Sequence, residues 1–215
     1  MKKLLKKIAL LPLFCGLILT SACSNDDENG NDNNNNDIPT SWFDGTITAT
    51  VVNGNDYDDL IDEIVAWAWA NYDYSDDGNE IIARGNWANG GFTITLPATL
   101  GDRFLFPGGE EIEDDFETIT VSDRNLRISL FEGIRFDAEG IGGFRKYRED
   151  ENSRREMIIV YADRDATVIG TEGLYTFQIS LKRGWNKVYV TERYRGELIQ
   201  TTEPISGLRW HFFRD

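Results

Sequence analysis

The sequence predicts an all-β fold, and three observations carry that expectation. Short runs rich in Val, Ile, Thr, Phe, Tyr and Trp recur along residues 45–213. Gly, Asn and Asp clusters punctuate them at the spacing that turns between strands require. No stretch keeps the 3.6-residue apolar period long enough for an extended helix.

Residues 45–52, Gly-Thr-Ile-Thr-Ala-Thr-Val-Val, form a β-branched run closed by Asn53-Gly54, a strand and its turn. Residues 61–70 admit two readings. Apolar positions 57, 60, 61, 64, 65 and 68 fit a helical stripe, whereas Val65, Trp67 and Trp69 alternate with Ala66 and Ala68 as on a strand. The strand is preferred because branched and aromatic residues fill its second half and a hairpin-like loop follows. The return strand covers 80–84. Asn89-Gly90-Gly91 then turns the chain into 92–97, where Phe92, Ile94 and Leu96 share one face and Thr93 and Thr95 the other.

Pro107 to residue 115, rich in Gly and Glu, reads as a connector. Strands are expected beyond it at 116–121, 126–131, 143–147, 157–162, 167–170, 174–181, 187–191 and 208–213. Such regular short strands predict a β-sandwich or barrel-like architecture, arranged as two small antiparallel β lobes, 42–107 and 112–215, joined near Pro107.

The N-terminus has the three parts of a secretory signal. Lys2, Lys3, Lys6 and Lys7 precede an uncharged run, residues 8–20, and small residues lead to Cys23. The run is shorter than the roughly 20 apolar residues of a membrane span, so cleavage is expected. Leu19-Thr20-Ser21-Ala22-Cys23 resembles a bacterial lipobox, with Thr20 where leucine is usual. The resemblance implies that residues 1–22 leave as a signal peptide and that Cys23 is the lipid attachment site, fatty-acylated by palmitate or a similar chain. Cys15 leaves with the signal. Ser24-Asn25-Asp26-Asp27-Glu28 is similar to the acidic export signal that sends Bacteroidota lipoproteins to the outer face of the outer membrane. The expected localisation is therefore the outer membrane, lipid-anchored, at the cell surface.

Residues 23–41 continue as a linker of Asn, Asp, Gly and Ser with no branched or aromatic residue before Ile38. Too little apolar surface is available there to offset the entropy of ordering. A chain of that length and composition reaches about 20 to 25 Å from its anchor.

The whole chain carries a formal charge of −15, and loss of four lysines with residues 1–22 takes it to −19. Nucleic acid is excluded as a partner, since phosphate binding needs clustered Lys and Arg. After Cys15 departs and Cys23 is acylated, no thiol remains for a disulfide, a thiolate metal site or a nucleophile. His211 is the one histidine, which excludes multi-histidine zinc sites. No cofactor, no metal and no catalytic constellation are expected: nucleophile elbow, phosphate loop and dinucleotide fingerprint are all absent from the sequence.

Residues 45–54, the run through Trp69, and 83–97 with Asn89-Gly90-Gly91-Phe92-Thr-Ile-Thr-Leu-Pro97 resemble the transthyretin-like or carboxypeptidase-regulatory-like β-sandwich. That likeness implies an accessory domain and transfers no catalytic residue. Further on, Asp163-Arg-Asp165-Ala-Thr167-Val-Ile-Gly170, then Leu181-Lys-Arg-Gly184-Trp185-Asn186, and finally Gly207-Leu-Arg-Trp210-His-Phe212 resemble, in that order, motifs of a group of Bacteroidota surface lipoproteins without an assigned activity. The likeness implies a location and a β-rich fold.

Four candidate chemistries remain. Asp73, Ser75, Asp77 and Glu80 around Gly78 resemble the first half of a calcium loop, but Arg84 stands where an EF-hand needs its bidentate glutamate, and an acidic hairpin is the preferred reading. Trp67 and Trp69 share a strand face and are read first as core, with sugar stacking as the alternative; Trp42, Trp87, Trp185 and Trp210 lie elsewhere. Asp163, Asp165 and the acids between Glu110 and Asp115 are abundant enough for a carboxylate-dependent glycan hydrolase, yet nothing fixes a pair. His211, in an apolar strand, is read as structural. The function expected is a noncatalytic binding or structural module, specific ligand unknown, with a glycan or a surface protein as partner and the membrane engaged through the N-terminal lipid; the alternatives are a glycan-binding accessory or carboxylate-dependent glycan hydrolase, and a subunit of a surface adhesion assembly.

Overall fold

The structure, a computed structural model, describes residues 42–70, 78–129 and 134–214. It is all-β. Strands β1 (Thr46–Thr50), β2 (Glu63–Trp69), β3 (Asn79–Ala88), β4 (Gly91–Thr95), β5 (Thr120–Val121), β6 (Arg135–Ala138), β7 (Gly142–Asp150), β8 (Ser153–Ala162), β9 (Ala166–Glu172), β10 (Tyr175–Leu181), β11 (Gly184–Arg193), β12 (Leu198–Thr201) and β13 (Arg209–Arg214) belong to one sheet. Its order is β1-β4-β3-β2-β6-β7-β8-β11-β12-β10-β9-β5, with β13 pairing the free side of β7. Only β10 and β12 run parallel.

A parallel bridge from Val51 to Trp210, with the Val52 N–H donating to the Trp210 carbonyl at 2.9 Å, ties β1 to β13. The pairings β1-β4-β3-β2-β6-β7-β13 therefore run in a ring. Inside it lies the larger apolar cluster, with Ile47, Ile64, Trp87, Phe92, Ile94, Phe136, Phe144 and Trp210 among its members. A smaller cluster, including Ile112, Leu126, Ile128, Val160, Val168, Phe177 and Val188, lies among β5, β8–β11 and the segment 126–129.

The two clusters share strands. On β8, Met157, Ile159 and Tyr161 enter the larger cluster while Val160 and Ala162 enter the smaller; on β11, Trp185 and Tyr189 divide from Val188 in the same way. Side chains alternate across a pleated strand, so β8, covered on both faces, reads as a continuous apolar run over 157–162, and β11 places Val188 and Tyr189 on opposite faces.

The expected division into lobes 42–107 and 112–215 is thereby corrected. Residues 39–215 form one compact unit, and β2 from the first stretch pairs directly with β6 from the second. The physical reason is that strands before Pro107 do not enclose their own apolar faces; Phe136, Phe144, Tyr161, Trp185 and Trp210 fill that interior.

Other expectations shift locally. The connector contains a short helix, α1 (Gly108–Asp115), anchored by buried Ile112. Gly109 sits where a Cβ would be 2.5 Å from the Arg124 carbonyl, so the helix start needs a bare backbone there. Of the strand expected at 126–131, the described part, 126–129, carries bridges of Ile128 with Phe106 and Ala162, and the strand expected at 116–121 is reduced to Thr120–Val121. Strands β6 and β12 were not anticipated.

The last two of the three C-terminal motifs have structural explanations in the fold. Asn186, fully buried, accepts from the Lys182 N–H at 2.9 Å and donates to the Lys182 and Gly184 carbonyls at 2.7 and 2.9 Å, clamping the turn into β11. Trp185 donates to the Pro97 carbonyl at 2.7 Å and packs edge-on to Tyr161. Trp210 plugs the ring against Phe92 and Phe136.

Candidate functional site

Strand β2 presents two unlike faces. Ala66 and Ala68 point into the larger cluster, and Trp67 and Trp69, half-buried, stand on the outside. The expectation that both tryptophans are core is corrected: alternation was right and its polarity reversed, because aromatic rings from neighbouring strands leave only methyl-sized room beneath β2. Trp185 and Trp210 are buried, as expected.

On that outer face the register places Trp67 opposite Arg135 of β6 and Ile81 of β3, Val65 opposite Asp137 and Arg84, and Trp69 opposite Asn79. The register shifts between Ala66 and Trp67, where β3 carries one extra residue, Ile82. A hollow of about 310 Å³ opens here, lined by Trp67, Asn79, Arg135, Asp137, Glu139 and Gly140. That is at the small end of ligand sites.

The carboxylates around the hollow each meet an arginine, and Arg84 is shared between two of them. The Arg135 guanidinium donates to Asp137 at 2.8 Å, and Arg84 pairs with Glu63 and reaches Glu139 at 3.5 Å. The Trp67 Nε1–H is shielded and has no acceptor among the described residues. A flat π surface, an amide and ordered ion pairs provide stacking and hydrogen bonds to a hydroxylated ligand.

The other candidates fall into place separately. Asp163 accepts from the Arg127 backbone N–H and side chain and from both arms of Arg164, at 2.9 to 3.2 Å. Burial alone pushes its pKa up, but the hydrogen bonds from Arg164 and Arg127 outweigh it and hold the carboxyl below its usual range. Asp165 is lowered by the Lys182 ammonium and then by the Arg183 N–H. Both acids act as ties between turns. Glu111 on α1 is raised by burial and then by Asp115, with no partner acid across a cleft.

His211, half-buried on β13, packs on Tyr147 with ring centroids 4.4 Å apart. Burial and then the Arg209 charge lower its pKa, leaving the imidazole neutral near pH 7. Trp42 is half-exposed and bridges to Asn186. Cys23 and residues 73–77 of the acidic loop lie outside the described residues; Glu80 beyond the loop pairs with Arg103 at 2.6 Å. Among the described residues no group of three acids, cysteines or histidines is poised for a metal, and no helix is long and apolar enough to cross a membrane.

Arg135, Asp137 and Asn79 were missed in the sequence reading. A usable trace existed in Arg135-Phe-Asp-Ala138, where polar and apolar residues alternate with period two. Fold and site together define an all-β protein with an aromatic and ion-paired outer face on β2, β3 and β6. Compared with family models, curated proteins and solved structures, the chain has no match.

Proposed function

We propose that this chain is an outer-membrane lipoprotein, anchored through Cys23 and displayed at the cell surface, whose outer β2–β3–β6 face binds neutral glycans without turning them over. The observation that carries the reading is the half-buried Trp67 lining a hollow whose charged groups are already paired. Sugar rings stack on aromatic faces and offer hydroxyls to fixed donors and acceptors, while arginines already held by carboxylates leave no free cation for an anionic ligand. The pairing of Asp137 and Glu139 with arginines favours binding over hydrolysis, because a glycosidase needs a protonated acid facing a free carboxylate.

The soluble chain 24–215 is expected to bind members of a panel of neutral polysaccharides. Trp67→Ala should weaken that binding about tenfold, in line with about 1.5 kcal/mol for an aromatic contact, as read by affinity electrophoresis. If no neutral glycan retards the wild type, or the variant migrates identically, the glycan reading fails. The anchor is tested apart from it: in full-length chain, Cys23→Ser should move the protein out of the outer-membrane fraction while leaving it folded. Retention of the variant in that fraction overturns the lipid anchor.

A further inference from the structure

Strands β7 and β13 carry a second hollow with a different electrostatic character. It measures about 530 Å³ and is lined by Tyr147, Arg148, Glu149, Gly207, Arg209 and His211. Strands β7 and β13 supply it in a checkerboard, with Arg145 opposite His211 and Tyr147 opposite Arg209. Residues directly opposite in an antiparallel pair share a face, so two cations and two aromatic rings alternate on one surface.

Most arginines of the described chain close an ion pair, as Arg84, Arg124, Arg127, Arg135 and Arg164 do. Arg183, Arg195 and Arg214, outside the lining of this hollow, also reach no carboxylate among the described residues, and three more such arginines gather around it. Arg154 is occupied, pairing with Glu156 at 3.3 Å and lying over the Tyr147 ring at 5.0 Å. Arg145, Arg148 and Arg209 reach no carboxylate within 4.0 Å among the described residues, and Glu149 is the one acid in the lining. Like charges gathered without counter-charges repel one another. In a chain whose formal charge is −15 overall, a local cationic excess also concentrates an anion against the field of the rest of the surface.

The loop before β13 is shaped to this cluster. Gly207 has φ +76°, and a Cβ there would lie 3.2 Å from Arg148 Nη1. A bare backbone in the left-handed region therefore lets the Arg148 guanidinium sit close against the loop, at the rim of the hollow.

We propose that this hollow is a binding site for an acidic sugar, with the ring on the Tyr147–His211 pair and the carboxylate on Arg148 and Arg209. Guanidinium groups recognise carboxylates through paired N–H donors, and adjoining aromatic rings supply the apolar surface that a pyranose ring covers. The site is independent of the Trp67 face, which has no unpaired cation.

His211 is the chain's one histidine, so its imidazole Hε1 resonance reports on the hollow alone in an untagged protein. Titrating soluble chain 24–215 with glucuronate oligosaccharide should shift that resonance saturably. Neutral glucose oligosaccharide of the same length, and acetate, should each bind about tenfold more weakly or less, since a charge-assisted contact contributes about 1.5 to 3 kcal/mol. Arg148→Gln and Arg209→Gln should each weaken glucuronate binding about tenfold, and Trp67→Ala should leave it unchanged. Circular dichroism of the variants verifies that they fold. The proposal is overturned if the His211 signal does not respond to glucuronate, if either arginine variant binds as the wild type does, or if acetate or the neutral oligosaccharide binds equally well.

Discussion

Phe92→Ala is expected to lower the unfolding free energy by about 3 to 5 kcal/mol and the melting temperature by about 10 °C. Phe92 is 3% exposed. Its ring lies 5.2 Å from Trp210, 5.3 Å from Phe144 and 6.3 Å from Phe136. Those partners come from β13, β7 and β6, so a residue of β4 touches three other strands of the ring across its interior. Loss of the side chain removes its own burial and also leaves a cavity whose walls, pinned in paired strands, cannot collapse inward. Tyr194→Ala, at a residue 83% exposed, is the matched control and should change stability by less than about 0.5 kcal/mol. Urea melts with an unchanged slope would attribute the loss to the native state. A Phe92→Ala loss below about 1 kcal/mol would mean that the aromatic cluster is not what closes the ring.

The contribution of Phe92 to a buried face was readable in advance, because Phe92-Thr-Ile-Thr alternates with a clear polarity between apolar and hydroxyl side chains. Val65-Ala-Trp-Ala-Trp69 shows the limit of the same rule. Period two sorts side chains into two faces, but which face turns inward depends on the volume left by other strands, and the ring filled by Phe92, Phe136 and Trp210 accepts alanine there. Strand β12 escaped although it closes an antiparallel hairpin with β11 around Gly196, because its four residues, Leu198–Thr201, are too few to show an alternation of their own. Both hollows escaped for a different reason. Arg135 and Asp137 become meaningful only when β6 is laid against Trp67, and Arg148 and Arg209 lie 61 positions apart in the chain yet line one surface. The Asp163 and Asp165 motif was visible as a pattern, while its role as a tie between turns required the positions of Arg127, Arg164 and Lys182.

Gly54→Ala is expected to destabilise by about 3 kcal/mol, at the upper end of what overpacking costs, although local backbone preference gives no warning of it. Gly54 does not have a positive φ, and it opens a short 3-10 turn, Gly54–Tyr57. A Cβ on it would stand 2.0 Å from the Gly90 carbonyl oxygen, a backbone atom that already accepts the Val51 N–H at 3.0 Å. The two Asn-Gly turns, read separately as chain reversals, are thus stacked on each other. Asp58 binds the pair together by accepting from the Gly90 N–H at 2.9 Å and from the Trp87 Nε1–H at 2.8 Å. Displacing Gly90 disturbs all three bonds, and with them the join between β1 and β4 and the seating of Trp87. Gly140→Ala makes the sharper comparison. Gly140 has φ +76° and nothing within 4 Å of an added Cβ, so only left-handed strain opposes the change, about 1 to 2 kcal/mol. Propensity alone ranks Gly140 as the more sensitive position, and packing ranks Gly54 first. Equilibrium unfolding of the two variants decides between them, and an equal or smaller loss for Gly54→Ala would show that the stacked turns separate at little cost.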